Sequence, residues 1–170
     1  MNPSFLSANE FDLASKGLTQ KLAELLLARN WKIALAESCT GGLLAATLTE
    51  LAGSSAWFER AYITYSNQAK TDCLEVPADL IAQYGAVSEA VAQAMAKGVT
   101  LKSKADFAIS ITGIAGPSGG SIEKPVGTVC FGIHYQQKNL SYTQYFAGDR
   151  DAIRKQACLF ALQESIKQLS

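Results

Sequence analysis

The tightest constraint on the fold lies between Lys32 and Gly42, where K-I-A-L-A-E-S-C-T-G-G joins an almost unbroken apolar run to a small polar turn. Ile33, Ala34, Leu35 and Ala36 predict a buried strand that stops at Glu37-Ser38-Cys39-Thr40. After Thr40-Gly41-Gly42, the apolar residues Leu43, Leu44, Ala46, Leu48 and Leu51 recur at helical spacing, and Gly53 supplies a stop. A strand, a tight turn and a helix N-terminus therefore follow one another. Such a junction offers backbone N–H groups and the positive end of a helix dipole, where a serine or cysteine can meet an anion or a developing oxyanion. The competing reading is that Ser38 or Thr40 only caps the helix.

The chain of 170 residues has room for one core, so a single domain over residues 1–170 is expected. Apolar residues make up 48% and charged residues 18%, which excludes a disordered chain. Fifteen basic residues balance fifteen acidic ones, so no net field draws the chain to nucleic acid or a membrane, although a local anion site stays open. The opening M-N-P-S-F-L-S-A-N-E-F-D lacks the pattern of a secretory leader, and no apolar run approaches the ~20 residues that cross a bilayer. Cys39, Cys73, Cys130 and Cys158 have no zinc-like spacing and read as reduced thiols of a cytoplasmic protein, with no metal site and no cofactor expected.

There is one histidine, His134, near the end of a predicted strand and on a face with Val126, Thr128, Cys130 and Gly132. Its position favours a structural or surface role. A hydrolase built on this chain would therefore draw its base from elsewhere, and lysine is the first candidate.

The remaining elements alternate. Residues Glu10 to Arg29 predict an amphipathic helix, and the aromatic and β-branched stretch to Tyr65 predicts a second strand broken at Ser66-Asn67. Lys70 follows one helical turn later, near Tyr65, Ser66 and Asn67. It reads either as a solvated lysine or as a general base with Tyr65 as proton relay. The second reading requires burial or cationic neighbours, because lowering a lysine from about 10.4 by about 3 units disfavours the ammonium by about 4 kcal/mol.

Pro77 to Tyr84 predicts a short helix ended by Gly85, and Ser88-Glu89 opens a longer one with Val91, Met95 and Val99 along one side. Asp106 to Ile111 predicts a third strand, followed by T-G-I-A-G-P-S-G-G-S. Here Thr112 offers a hydroxyl and the glycines offer N–H donors, as a cradle for a phosphate or carbonyl or as a mobile surface loop. Val126 to Tyr135 and Leu140 to Phe146 predict a hairpin, so the sheet is mixed. Asp149 caps the last helix, which runs to about Gln168 with Ile153, Ala157, Phe160, Ala161 and Leu162 inward. Arg150 then sits in the first turn, a poor place for a cation unless an anion lies beside it.

Taken together, A-E-S-C-T-G-G (Ala36–Gly42), T-Y-S-N-Q-A-K (Thr64–Lys70), G-A-V-S-E (Gly85–Glu89), T-G-I-A-G-P-S-G-G (Thr112–Gly120), K-P-V-G-T-V (Lys124–Val129) and G-D-R (Gly148–Arg150) resemble the CinA C-terminal domain family. The resemblance implies a three-layer α/β/α domain with a mixed sheet ending in an antiparallel hairpin. It also implies an amidohydrolase that converts nicotinamide mononucleotide to nicotinic acid mononucleotide and ammonia in pyridine-nucleotide recycling, with no cofactor and as a homo-oligomer. Carried over residue by residue, Ser38 is the nucleophile, Lys70 the base and Tyr65 its partner in proton transfer. Thr112, Gly113 and Gly116 hold the amide or its oxyanion, Glu37, Thr40, Gly41, Gly42 and Asn67 contribute to substrate binding, and Arg150 takes the phosphate. Two alternatives remain: Cys39 as nucleophile, and a nucleotide sensor or interaction module that uses the same pocket without chemistry.

Overall fold

A computed structural model describes residues 7–170; the segment screened for a leader lies partly outside them. The element order is α1 (Ala8–Ala28), β1 (Ile33–Glu37), α2 (Leu43–Thr49), a 3-10 turn (Ser54–Ala56), β2 (Phe58–Ile63), α3 (Asn67–Leu74), α4 (Ala78–Tyr84), α5 (Glu89–Lys102), β3 (Phe107–Gly113), β4 (Thr128–Tyr135), β5 (Lys138–Tyr145) and α6 (Arg150–Leu169). The strands form one sheet in the order β2-β1-β3-β4-β5, with β1 parallel to both neighbours and β4 and β5 antiparallel. This is the expected mixed α/β/α architecture.

Strand alternation divides the core into two unequal halves. Ile33 and Leu35 of β1, Phe107, Ile109 and Ile111 of β3, and Val129, Phe131 and Ile133 of β4 face α1, α2 and α6 with Leu22, Leu26, Leu44, Ile153 and Leu162. Each of these large side chains contributes roughly 1.5–3 kcal/mol on burial. Ala34, Ala36 and Ala108 occupy the opposite face, under Val91, Met95 and Val99 of α5. Small side chains let α5 lie close to the sheet. A Cβ on Gly132 would fall 2.3 Å from the Ala92 carbonyl oxygen, and Ser110 Oγ donates to that same oxygen at 2.6 Å.

Several boundaries differ from the sequence expectation. β2 ends at Ile63, although the Thr64 N–H still donates to Glu37 O at 2.9 Å. β4 starts at Thr128, because Gly127 has φ +95° and breaks the extended run. β5 begins at Lys138, since Gln136 and Gln137 alone form the hairpin turn, with φ of 46° and 64°.

β1 is the point at which the chain changes direction across the sheet. The connection to β2 runs over one face through α2, and the connection from β2 to β3 runs over the other through α3, α4 and α5. Such a switch point opens a crevice at the carboxyl ends of the parallel strands. Ser38 is the first residue beyond β1.

Candidate active site

Glu37 and Ser38 are adjacent, and strand parity sends them to opposite faces. Glu37 continues the side of Ile33 and Leu35, where its fully buried carboxylate accepts the N–H groups of Gly42 (3.0 Å), Leu44 (3.2 Å) and Ala45 (2.8 Å). The positive end of α2 is thus satisfied by the protein's own anion. Neither Ser38 nor Thr40 caps α2, and the open helix terminus expected for a ligand is closed by Glu37.

Ser38 points to the face of α3 and meets Lys70. The Lys70 Nζ lies 3.1 Å from Ser38 Oγ, 2.9 Å from the Thr64 carbonyl oxygen and 3.4 Å from that of Tyr65. The side chain is 1% exposed, and no carboxylate among the described residues forms an ion pair with it. Burial holds its pKa below the ordinary lysine value. Lys70 also occupies the first turn of α3, where the helix dipole disfavours a cation. A neutral amine has two N–H donors and one lone pair. In that neutral form, with the donors on the two carbonyls, the lone pair is left for the Ser38 hydroxyl, whereas the ammonium form donates to Ser38 Oγ.

The pair opens into a cavity of about 260 Å³. Its wall includes Tyr65, Asn67, Ala86, Val87, Thr112, Gly113, Gly116 and Arg150. Glu37, Thr40, Gly41 and Gly42, expected at the substrate, are not part of that wall; the two glycines shape the turn, with φ of 57° and 98°. Asn67 begins α3 directly after its cap, Ser66. The Thr112 hydroxyl donates to the Ala86 carbonyl at 2.9 Å, tying β3 to the link before α5.

Tyr65 meets the site in two ways. Only its main chain approaches Lys70, while its phenol oxygen accepts from Arg150 Nη2 at 3.0 Å. Arg150 also donates through Nη1 to the Gly116 carbonyl at 2.8 Å, bridging the cavity mouth. Both acceptors are neutral, and no carboxylate among the described residues pairs with this guanidinium.

The glycine-rich loop owes its glycines mainly to packing. A Cβ on Gly113 would lie 2.8 Å from Val129 Cγ2, one on Gly116 2.5 Å from Val126 Cγ1, and one on Gly120 2.7 Å from the Val126 nitrogen. Lys124 fastens the loop's far end by donating to the Tyr84 carbonyl at 2.7 Å, at the C-terminus of α4. That contact brings the Lys124–Val129 motif beside the residue that precedes Gly85–Glu89. Arg154, absent from the sequence expectation, donates to the Thr40 carbonyl at 2.8 Å. Its spacing of four from Arg150 on one helix was the available signal.

The alternatives fare differently. Burial pushes the Cys39 thiol up to about 12, so it stays protonated although it lines the cavity. His134 Nδ1 contacts Thr100 Oγ1 at 3.1 Å, four residues along β4 from the end that pairs with Thr112. Another cavity of about 270 Å³, beside Lys16, Thr19, Thr47 and Glu50, contains no paired nucleophile and base.

The CinA C-terminal domain profile matches residues 15–169. The chain belongs to the CinA C-terminal domain family. It is 50% identical over 152 residues to the nicotinamide-nucleotide amidohydrolase PncC of Enterobacter agglomerans, covering 89% of this chain and 93% of that protein. The enzyme of the same name from Escherichia coli K12 is 50% identical over 147 residues. The crystal structure of a CinA superfamily protein from Klebsiella pneumoniae superimposes with a TM-score of 0.87 at 40% identity, covering 91% of this chain and 97% of the other. In contrast, a CinA-like protein of Leptospira biflexa is 49% identical, yet the match spans only 38% of its length.

Proposed function

We propose that this chain hydrolyses the carboxamide of nicotinamide mononucleotide, with Ser38 as nucleophile and Lys70 as base. The observation that carries the reading is the buried Lys70 Nζ, 3.1 Å from Ser38 Oγ and without a carboxylate partner among the described residues. Half-identity to two proteins named nicotinamide-nucleotide amidohydrolase supports the substrate.

Lys70 takes the Ser38 proton as Oγ bonds to the carboxamide carbon, and the carbonyl oxygen becomes an oxyanion. The N–H of Cys39, the residue after the nucleophile, has no backbone carbonyl partner among the described residues and is the first candidate donor to it. Lys70 then returns the proton to the amide nitrogen, the C–N bond breaks and ammonia leaves. Water, deprotonated by Lys70, attacks the acyl-serine and releases nicotinic acid mononucleotide with the Ser38 hydroxyl restored. Arg150 and Asn67 receive the phosphate side of the substrate, and Tyr65 holds Arg150 at the mouth rather than relaying protons. Thr112, Gly113 and Gly116 form the wall against the carboxamide.

The reading includes a homo-oligomer, supported by exposed Ile63, Tyr65, Ile122, Val126 and Tyr145 on strand ends and loops. It includes a cytoplasmic setting, supported by four unpaired cysteines. The test is ammonia release from the mononucleotide by the native chain, Ser38→Ala and Lys70→Ala. Both variants should lose about 10³-fold or more in kcat. Binding by the native chain without ammonia release would replace the enzyme with a sensor.

A further inference from the structure

Arg154 takes no part in the chemistry described so far, yet its placement is unusual. It lies one helical turn beyond Arg150 on α6 and reaches under the nucleophile turn, where Nη2 donates to Thr40 O at 2.8 Å. Its Nε is buried and has no partner among the described residues, and the same is true of Thr40 Oγ1. No carboxylate among the described residues pairs with the guanidinium. A partly buried cation without a counter-ion, beside two unpartnered polar atoms, gives poor return if packing is its only task.

The turn it contacts carries the nucleophile. Gly41 N–H donates to Ser38 O at 3.0 Å, and Leu43 N–H donates to Thr40 O at 3.1 Å. The Thr40–Gly41 peptide is therefore gripped by Leu43 and Arg154 at its oxygen and by Ser38 at its nitrogen. On the far side of the same turn, Glu37 holds the start of α2 through three N–H groups. A Cβ on Gly41 would stand 3.9 Å from Arg154 Nη2, so the guanidinium lies directly against the turn.

We infer that Arg154 is a positioning residue for the nucleophile: by holding the Thr40 carbonyl it sets the aim of Ser38 and of the Cys39 N–H. This rests on the Ser38–Lys70 amidase reading. Small displacements of a reacting group lower turnover by as much as about 10²-fold without altering substrate contacts. Arg154 acts through the turn, so its loss falls on kcat rather than on KM.

The experiment measures ammonia release from nicotinamide mononucleotide, and separately the rate at which a fluorophosphonate labels Ser38, for the native chain, R154Q and R154K. R154Q is expected to lose roughly 10- to 10²-fold in kcat and in labelling rate, with KM within about threefold. R154K, which keeps a cationic donor, should recover part of both. A folded R154Q with native kcat and native labelling rate overturns the inference. Should R154Q fail to fold, R154K decides: a kcat reduced at least about threefold at constant KM supports positioning, and a native kcat overturns it. A native chain that is labelled at Ser38 but releases no ammonia refutes the substrate, while the labelling rate of the variants still judges Arg154. A chain that does neither refutes both.

Discussion

The two loops that meet at the cavity are held by opposite means. The turn from Ser38 to Gly42 has three buried residues at its start, and charged groups inside the protein grip its main chain: Glu37 from one side and Arg154 from the other. The loop from Ile114 to Gly127 is exposed over Pro117–Glu123 and is strapped at two points, by Arg150 on Gly116 and by Lys124 on Tyr84. In the proposed reaction the first loop carries the nucleophile and the second covers the substrate. The difference teaches that rigidity is concentrated where an error in aim is most costly, and that the covering loop keeps fewer ties.

Glu37→Ala should break that contrast most severely. Three donors at the start of α2 lose a buried anionic acceptor, and denaturant unfolding should report a loss of about 3 kcal/mol or more. A loss under about 1 kcal/mol would mean that the turn does not depend on its internal anion.

Lys70→Met comes next and acts through pH. The folded-state pKa of Lys70 is lowered, so above it the native amine is neutral while the unfolded chain still binds a proton up to about 10.4. Native stability should therefore rise with pH across that window. Lys70→Met should be the more stable protein at neutral pH and should show a flatter profile there, as read by unfolding at several pH values. Identical slopes for the two proteins would refute a neutral buried lysine.

Arg150→Ala should leave unfolding nearly unchanged and raise KM by about tenfold, equivalent to about 1.4 kcal/mol of binding. If it instead destabilises the chain as much as Glu37→Ala, the two loops are not held differently.

Much of this arrangement was legible in the sequence. The apolar run before Ser38, the stripe of α1, the hairpin and the Asp149 cap all follow from period and turn chemistry, and each formed. Lys70 could be placed near the second strand end, but α3 has too few apolar residues to show as a helix: only Lys70 and Leu74 are buried on it. Its fold depends on tertiary contacts. The alternation that buries Ile33 and Leu35 also sends Glu37 toward α2, so strand parity makes this contact legible in the sequence. The partners of Arg154 and Lys124, and one of the two partners of Arg150, are carbonyl oxygens brought close by the fold. Main-chain acceptors carry no side-chain signature, so composition and spacing could not reveal them.

Those carbonyl partners have a wider consequence. Lys124, Arg150 and Arg154 all bind neutral oxygens, so their charges are not cancelled by contact carboxylates among the described residues, although the chain as a whole sums to zero. Glu37, the anion closest to the turn, is buried on the far side of β1. An anionic group at the cavity mouth therefore meets the Arg150 guanidinium with no contact carboxylate to displace among the described residues, an attraction that reaches about 10 Å at ~0.1 M salt and weakens as ionic strength rises.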